Sequence, residues 1–260
     1  MEGDDGQGTR LRRGPEATAG WVRGRLGEWR RVSAPERRGR LVELYSEASE
    51  CTRCPLAETR TKVVFGAGNA DAELMFVGEA PGADEDRQGL PFVGRAGGLL
   101  NELLAGIELD RKDVFVANTL KCRPPGNRDP QPVEIETCRP YLLRQVELIE
   151  PKIVATLGNF ATKLLTGDQT GITRVRGTPQ VHALGGRTVF IFPLLHPAAA
   201  LRTPSMKETL VEDFDRLRTL LAGPGPENAA TKEAEPQPAP ATEPPTPTGP
   251  STNQLDIFGR

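Results

Sequence analysis

The chain of 260 residues carries 33 basic and 35 acidic side chains, and its net charge of −2 gives no overall attraction to nucleic acid or to anionic membranes. Its length predicts one domain of ordinary size with additional tails. No stretch approaches the roughly 18 consecutive apolar residues of a membrane span, and the N-terminus lacks the apolar core of a signal peptide. We therefore expect a cytoplasmic protein without membrane association, whose four cysteines stay out of disulfides.

Both ends of the chain differ in composition from its middle. Residues 1–40 contain ten arginines and six acidic residues, and residues 223–260 contain nine prolines and five acidic residues. Neither end has enough large apolar residues to form a core, so both are expected to be disordered. The predicted divisions are an Arg/Gly-rich extension (1–32), a folded domain (33–222), a Pro-rich linker (223–253) and a terminal pentapeptide (254–258).

Within the folded domain, short apolar strands alternate with helices. Ser33 and Glu36 have the spacing of a capping box, with Pro35 in the first turn, and predict a helix that ends near Ser49. The alternation predicts an α/β fold with three layers, α/β/α, around a mostly parallel central sheet. Strands are predicted at 73–77, 113–118, 152–157, 179–184 and 187–194, and further helices at 96–106, 131–149, 159–166 and 205–221.

The Gly/Pro-rich segment 78–98 is the most informative part of the chain. It follows the first predicted strand, and open α/β sheets bind ligands at the carboxyl ends of their strands. It contains four acidic residues and Phe92, but neither a GxxxxGK[ST] nor a GxGxxG phosphate motif. A turn with this many acidic residues would repel a triphosphate. It could instead hold a water or a developing cation beside a flat ligand.

Two polar residues follow other predicted strands and can meet this segment at one edge of the sheet. Asn118 offers a donor and an acceptor side by side, as the reading of a base edge requires; a strand-end turn cap is the alternative. His196 follows four apolar residues, and a core histidine is its alternative. Basic residues around this rim would supply phosphate contacts: Lys121, Arg123, Arg128 and Arg202.

The four cysteines form two pairs, Cys51-x2-Cys54 and the more distant Cys122 with Cys138. A CxxC pair directs two thiolates at one metal, and a second pair closes the site across the fold. The four cysteines could bind either zinc or an iron–sulfur cluster, although the wide spacing of the last two ligands favours [4Fe–4S]. Four protein thiolates leave no open coordination position, so the site is expected to be structural. Unrelated buried cysteines are the alternative.

Taken together, these segments resemble the family 4 (thermostable-type, iron–sulfur) uracil-DNA glycosylases. The resemblance covers about residues 41–221. It implies an α/β/α fold, a [4Fe–4S] cluster on the four cysteines, and hydrolysis of the N-glycosidic bond of deoxyuridine in DNA that leaves an abasic site. The matching motifs are Cys51-x2-Cys54, GEAPGADED (78–86), GLPFVGRAG (89–97), NTLKCRPPGNRDP (118–130), Cys138 and HPAAALR (196–202).

The resemblance also implies roles for the residues that would contact the base. Phe92 would stack on uracil, Asn118 would bind its pyrimidine edge, and His196 would donate to the O2 oxygen as the base leaves. Asn118 can accept from uracil N3–H while it donates to O4, whereas cytosine presents the opposite pattern.

Further roles follow for the sugar and the DNA. Glu79, with Ala80 beside it in the substrate site, would position water and oppose the sugar cation, and Glu85 is the second candidate. Ala200 stands where related enzymes often carry a larger wedge residue, so Leu201 is the expected wedge. Residues 118–138 contain no histidine and no basic insert, unlike relatives that trap DNA covalently, so turnover is expected.

Two other functions compete with this interpretation. The first is a non-catalytic iron–sulfur or zinc adaptor that binds DNA. The second, a zinc nucleobase deaminase, needs an H-x-E or C-x-E motif followed by P-C-x-x-C. The single CxxC of this chain follows Glu50, and neither histidine precedes it. This pattern argues against a deaminase.

The terminal pentapeptide resembles the bacterial sliding-clamp binding motif. An apolar triplet at the tip of a disordered tail has no core to join, so its burial requires another molecule. The resemblance implies that three apolar side chains fill a groove on the clamp while Gln254 binds at its edge; an inert tail end is the alternative. The segment is Gln254, Leu255, Asp256, Ile257 and Phe258. The protein itself is expected to be a monomer.

Overall fold

A computed structural model describes residues 21–23 and 29–227 of the chain, with side chains from Val32 onward. The terminal pentapeptide and most of the Pro-rich linker lie outside the described residues. Two short antiparallel strands, β1 (Trp21–Arg23) and β2 (Trp29–Arg31), pair with each other. They lie in the extension for which the sequence predicts disorder, and that prediction stays untested by these two short segments.

A six-stranded sheet forms the centre of the domain. Its strands are β3 (Ala67–Gly68), β4 (Leu74–Gly78), β5 (Phe115–Asn118), β6 (Ile153–Leu157), β7 (Gln180–Leu184) and β8 (Arg187–Leu194). Their order is β3-β5-β4-β6-β8-β7; the four inner strands are parallel, and β3 and β7 are antiparallel edges. Every residue of β4, β5 and β6 is buried, as expected for parallel strands covered on both faces.

Helices cover both faces of this sheet. One hydrophobic core joins α1 and α4 to the sheet, and the other joins α3 and α8 to its opposite face. The predicted three-layer α/β/α fold is therefore confirmed. The helices are α1 (Ala34–Ser49), α2 (Ala83–Gln88), α3 (Arg95–Gly106), α4 (Pro132–Ile149), α5 (Asn159–Thr166), α6 (Ile172–Val175), α7 (Pro197–Ala200) and α8 (Pro204–Ala222).

Each strand and helix predicted from the sequence is present within two residues of its predicted bounds. The elements that the sequence did not reveal are short: β3, α2, α6 and α7. Helices of four to six residues do not extend far enough for a hydrophobic period to be read. No helix in the described part of the chain is long and apolar enough to cross a membrane.

The parallel pairing brings the carboxyl ends of three strands to one edge of the sheet. Gly78 at the end of β4 lies beside Asn118 at the end of β5. The pairing continues beyond both strands, because the Thr119 N–H donates to the Gly78 carbonyl over 2.9 Å and the Leu120 N–H to the Glu79 carbonyl over 3.0 Å. β8 ends at Leu194, and two residues later the chain turns into α7. This edge carries the candidate active site.

Candidate active site

Gly78 allows two side chains to pack directly against the end of β4. A Cβ atom at this position would lie 2.4 Å from Asn118 Oδ1 and 2.8 Å from the Cζ atom of Phe92. Neither approach leaves room for a methyl group, so only glycine fits here. Asn118 and Phe92, which lie far apart in the sequence, consequently share one corner of the site.

Asn118 is 2% exposed, yet its side-chain amide makes no hydrogen bond to another residue of the described part of the chain. Neither polar atom of this amide is among the fully buried atoms without a partner in the described residues, so the amide keeps some access to solvent and is open to a ligand. The turn-cap alternative would need a hydrogen bond from this side chain to nearby backbone. The geometry therefore favours an Asn118 amide that is available to bind a ligand.

Phe92 has a backbone φ of 54°, a left-handed conformation that bulky residues rarely adopt. Its backbone is fixed by close packing: a Cβ at Gly97 would lie 1.8 Å from the Phe92 carbonyl oxygen. Arg111 donates to the neighbouring Pro91 carbonyl over 2.9 Å. The ring centroid lies 5.9 Å from that of His196, with 31° between the planes. Strain of this kind is typical of residues held in place for a ligand.

Glu85 lies at the third position of α2, and its carboxylate binds backbone amides on both sides of the loop. Oε2 accepts from the Gly82 N–H over 3.1 Å, and Oε1 accepts from the N–H groups of Val93 and Gly94 over 3.0 and 3.2 Å. The sequence made Glu85 the second candidate for holding water. These three bonds instead fit a role in fixing the loop that carries Phe92.

Glu79 faces a cleft of about 570 Å³ that His196 also lines. Burial raises the pKa of the Glu79 carboxyl above its usual value, and the nearby charge of Asp129 raises it further. Four polar or aromatic residues of this cleft follow β6, a strand whose carboxyl end the sequence analysis did not use. Besides Asp129, the residues missed are Asn159, Phe160, Lys163 and Gln169.

His196 caps the N-terminus of α7, and its Nδ1 atom accepts a hydrogen bond from the Ala198 N–H over 3.1 Å. Nδ1 is therefore unprotonated, and the ring proton lies on Nε2. Burial lowers the pKa of His196, although the charge of Glu85 opposes this shift. At neutral pH the site thus contains a neutral imidazole that can donate one hydrogen bond from Nε2.

The basic residues predicted to bind DNA have different surroundings. Lys121 is only 2% exposed and donates to the Asn118 carbonyl, so the prediction that it contacts DNA is wrong. The side chain that accepts a hydrogen bond from its ammonium, Gln145, lies on α4. No local sequence pattern reveals this contact. Arg128 forms two hydrogen bonds, of 3.0 and 2.5 Å, with the buried Glu134. Arg202 is exposed, and Arg123 is half-buried with a bond to Asn127.

Leu201 is 44% exposed immediately after α7, five residues beyond His196. This position is suited to a side chain that enters a DNA stack.

The four cysteines, none of which forms a disulfide, line one small cavity between α1, α4 and the segment after β5. The Lys121 N–H donates to Cys138 Sγ over 3.2 Å, and Arg60 donates to Cys122 Sγ over 3.5 Å. Burial raises the pKa of the Cys122 thiol to about 11 and also raises that of Cys138. Within residues 32–227, no three His, Cys, Asp or Glu side chains converge closely enough to hold a single metal ion.

Comparison with known proteins agrees with this geometry. The family model of the uracil DNA glycosylase superfamily matches residues 65–218. The type-4 uracil-DNA glycosylase of Sulfurisphaera tokodaii is 45% identical over 189 residues, which are 71% of this chain and 86% of the relative. The chain belongs to the type-4 uracil-DNA glycosylases. This membership confirms the resemblance that the sequence motifs indicated.

Other type-4 uracil-DNA glycosylases show similar agreement. That of Archaeoglobus fulgidus is 45% identical over 184 residues, which cover 69% of this chain and 92% of the relative. That of Thermotoga maritima is 43% identical over 192 residues, which cover 72% of this chain and 98% of the relative. The similarity therefore extends over nearly the whole of these glycosylases.

The position of Glu85 predicts a split in the kinetic constants. In Glu85→Gln the amide can no longer accept three backbone hydrogen bonds, so the loop should release Phe92 and KM for uracil-containing DNA should rise about tenfold. Steady-state kinetics measure this change. The control is Asp84→Asn. Asp84 lies on the same helix, and its exposed carboxylate forms a salt bridge with Arg87. A drop in kcat at constant KM in Glu85→Gln would instead mean that this carboxylate acts on the reacting atoms.

The two pKa shifts predict the acid limb of the pH–rate profile. The site needs Glu79 ionised and His196 neutral, and acidification removes both forms. Two causes raise the pKa of Glu79, burial first and the charge of Asp129 second, and Asp129→Asn removes the second. The acid limb of kcat/KM should therefore move to lower pH in this variant. If the acid limb stays at the same pH, it reports the protonation of His196 instead of Glu79.

Proposed function

We propose that this protein is a monofunctional uracil-DNA glycosylase of base excision repair. It flips deoxyuridine out of DNA, hydrolyses the N-glycosidic bond and leaves an abasic site. One observation carries the proposal: an amide with no hydrogen bond to the described residues, a strained aromatic residue and a neutral imidazole donor meet at one edge of the sheet. All groups that the mechanism uses lie within one domain, so a monomer suffices for the reaction.

Recognition begins with the flipped base. Extrusion of a nucleotide costs a few kcal/mol, and stacking on the Phe92 ring recovers roughly 1–3 kcal/mol. The Asn118 amide accepts from uracil N3–H and donates to O4. Cytosine reverses both of these groups and would leave the buried amide unsatisfied, so it is rejected.

Bond cleavage follows from the two groups that face the cleft. As the bond between C1′ and N1 breaks, its electron pair moves to the base, and negative charge develops on uracil O2. The His196 Nε2–H donates to this oxygen, an interaction worth roughly 3 kcal/mol or more. The Glu79 carboxylate opposes the positive charge on the sugar, orients the water that adds to C1′, and accepts its proton.

Surface residues near this edge hold the DNA. Leu201 enters the space that the flipped base leaves, and Arg202 and Arg123 contact phosphates. The contact from Arg128 is weaker, because its guanidinium is already paired with Glu134. Positive charge at these positions fixes the register of the duplex without reading its sequence.

Variants of the two polar groups test the mechanism. His196→Ala should lower the single-turnover rate of uracil release by about two orders of magnitude and leave binding of uracil-containing DNA largely intact. Asn118→Asp should weaken uracil excision sharply and admit some cytosine, since a carboxyl group can accept from the cytosine amino group. Rates are measured on oligonucleotides with a single uracil or cytosine. Wild-type rates in both variants would show that the site lies elsewhere, whereas a wild-type protein that releases no uracil would favour a non-catalytic adaptor.

The cysteine cavity supports a [4Fe–4S] cluster more than a structural zinc ion. A tetrahedral zinc ion with Zn–S distances of about 2.3 Å requires sulfurs nearly in contact with one another. The four sulfurs instead surround a cavity, and no three ligand side chains of the described residues converge on one point. A cluster held by Cys51, Cys54, Cys122 and Cys138 would join α1 and α4 to the segment after β5. The free cysteines agree with a cytoplasmic location.

Metal analysis tests this assignment. Protein purified without oxygen should contain about four iron atoms per chain and absorb near the visible charge-transfer band of iron–sulfur clusters. Each Cys→Ala variant should lose iron and melt at a lower temperature, because the cluster connects separate segments. One zinc atom per chain and no iron would overturn the cluster and leave the glycosylase proposal standing.

The terminal pentapeptide provides a separate site for a sliding clamp. It lies outside the described residues, so the proposal rests on its sequence and on the Pro-rich linker before it. Tethering to a clamp would raise the concentration of the enzyme near newly made DNA without any new catalytic contact.

A labelled peptide of residues 250–260 tests the clamp site. It should bind a purified bacterial sliding clamp with micromolar affinity, since a short segment must be ordered on docking. Fluorescence anisotropy measures the binding, with the Leu255→Ala/Phe258→Ala peptide as the control. Equal anisotropy changes for the two peptides would rule the site out.

A further inference from the structure

Lys121 connects the cysteine cavity to the residue that reads the base. Its side chain is fully enclosed, and Nζ donates to the Asn118 carbonyl over 2.8 Å and to Gln145 Oε1 over 2.6 Å. Its own backbone N–H donates to Cys138 Sγ over 3.2 Å. One residue thus contacts a candidate cluster ligand through its main chain and Asn118 through its side chain.

The position of the ammonium is fixed from the opposite side. Gln145 on α4 donates from Nε2 to the Phe65 carbonyl over 2.8 Å, which turns its Oε1 atom toward Lys121. Gln145 is completely buried and cannot adopt a different rotamer without losing this bond. Lys121 therefore holds the Asn118 peptide against α4 rather than moving with the loop.

The surroundings of Lys121 leave its charge without a conventional partner. Both acceptors of Nζ are neutral oxygens, and no carboxylate of the described residues forms a salt bridge with it. Burial of an unpaired ammonium is costly, and natural proteins compensate for it with a nearby negative charge. The cysteine cavity that Lys121 lines is the one source of such charge in contact with it, because four ligating thiolates make a metal centre anionic.

We propose that Lys121 is a positioning residue through which the cysteine-ligated centre controls uracil recognition. The anionic centre stabilises the buried ammonium, the ammonium holds the Asn118 carbonyl, and the Asn118 amide is thereby kept in register for the base. Loss of the centre would remove the compensating charge and weaken base binding without any direct contact between cluster and uracil. The inference rests on the proposed function, because it assigns a consequence to that function's cluster and its base-reading residue.

Arg60 provides a matched control on the far side of the cavity. It donates to Cys122 Sγ over 3.5 Å and to the Cys51 carbonyl over 2.6 Å, and it forms no hydrogen bond with Asn118. Removal of either cation should make the cluster harder to reduce, because the reduction potential depends on nearby charge and hydrogen bonds. Only the removal of Lys121 should also change uracil recognition.

The experiment compares Lys121→Met with Arg60→Met in the full chain purified without oxygen. Iron content, melting temperature, cluster reduction potential and Kd for an oligonucleotide with a non-hydrolysable 2′-fluoro-deoxyuridine are measured for each variant. Lys121→Met should shift the potential to a more negative value and weaken binding about tenfold. Arg60→Met should shift the potential in the same direction and keep Kd within about twofold of the wild type. Equal Kd values for the two variants would overturn the proposal.

A second variant keeps the test decisive if Lys121→Met fails to fold. Gln145→Met removes one acceptor of the ammonium from α4 and leaves residues 118–122 unchanged. It should weaken binding by a smaller factor, about threefold, at wild-type iron content; unchanged binding would overturn the proposal. A wild-type protein without iron or without uracil excision would refute the proposed function itself, which separates the two failures.

Discussion

The pairing of β4 with β5 beyond the ends of both strands is the constraint on which the site depends. Two backbone hydrogen bonds from residues 119 and 120 to residues 78 and 79 keep the Glu79 and Asn118 segments in fixed register. Catalytic groups must be placed within about half an ångström, and rigid strands achieve this better than loops. Because Asn118 ends β5 and Glu79 directly follows β4, the backbone of neither residue can shift without disrupting this pairing.

Burial acts in opposite directions on the two ionisable groups of the cleft, and both effects suit the chemistry. It lowers the pKa of His196, so the imidazole is neutral and donates without first losing a proton. It raises the pKa of Glu79, which makes that carboxylate a better base for the attacking water. Two groups in one cleft thus obtain pKa shifts of opposite sign, a pattern that paired catalytic groups in other enzymes also show.

The sequence predicted the sheet and the long helices, because apolar runs define the strands. It also placed Glu79, Asn118 and His196 at or just beyond strand ends, where the structure has them, and their roles stay predictions. It did not reveal α2, because Ala83–Gln88 is short and has no apolar period. This helix is instead stabilised at its N-terminus by the Glu85 carboxylate, which accepts from the Gly82 N–H. Lys121 was misassigned because its partner Gln145 lies 24 residues further along the chain. Lys163 and Asp129 were missed for the related reason that a cleft is a property of the folded chain.

The cavity lined by the four cysteines lies close to the candidate active site, because both adjoin the segment that follows β5. Residues 119 and 120 continue the pairing with the segment after β4, and residues 119–122 are buried. A metal centre at Cys122 would restrain this segment further, because metal binding can fix a loop without a large hydrophobic area. Ligands from the turn after α1, the segment after β5 and α4 would restrain this segment together. With the proposed centre in place, cysteine ligation would add to the strand pairing that already fixes the backbone at Asn118.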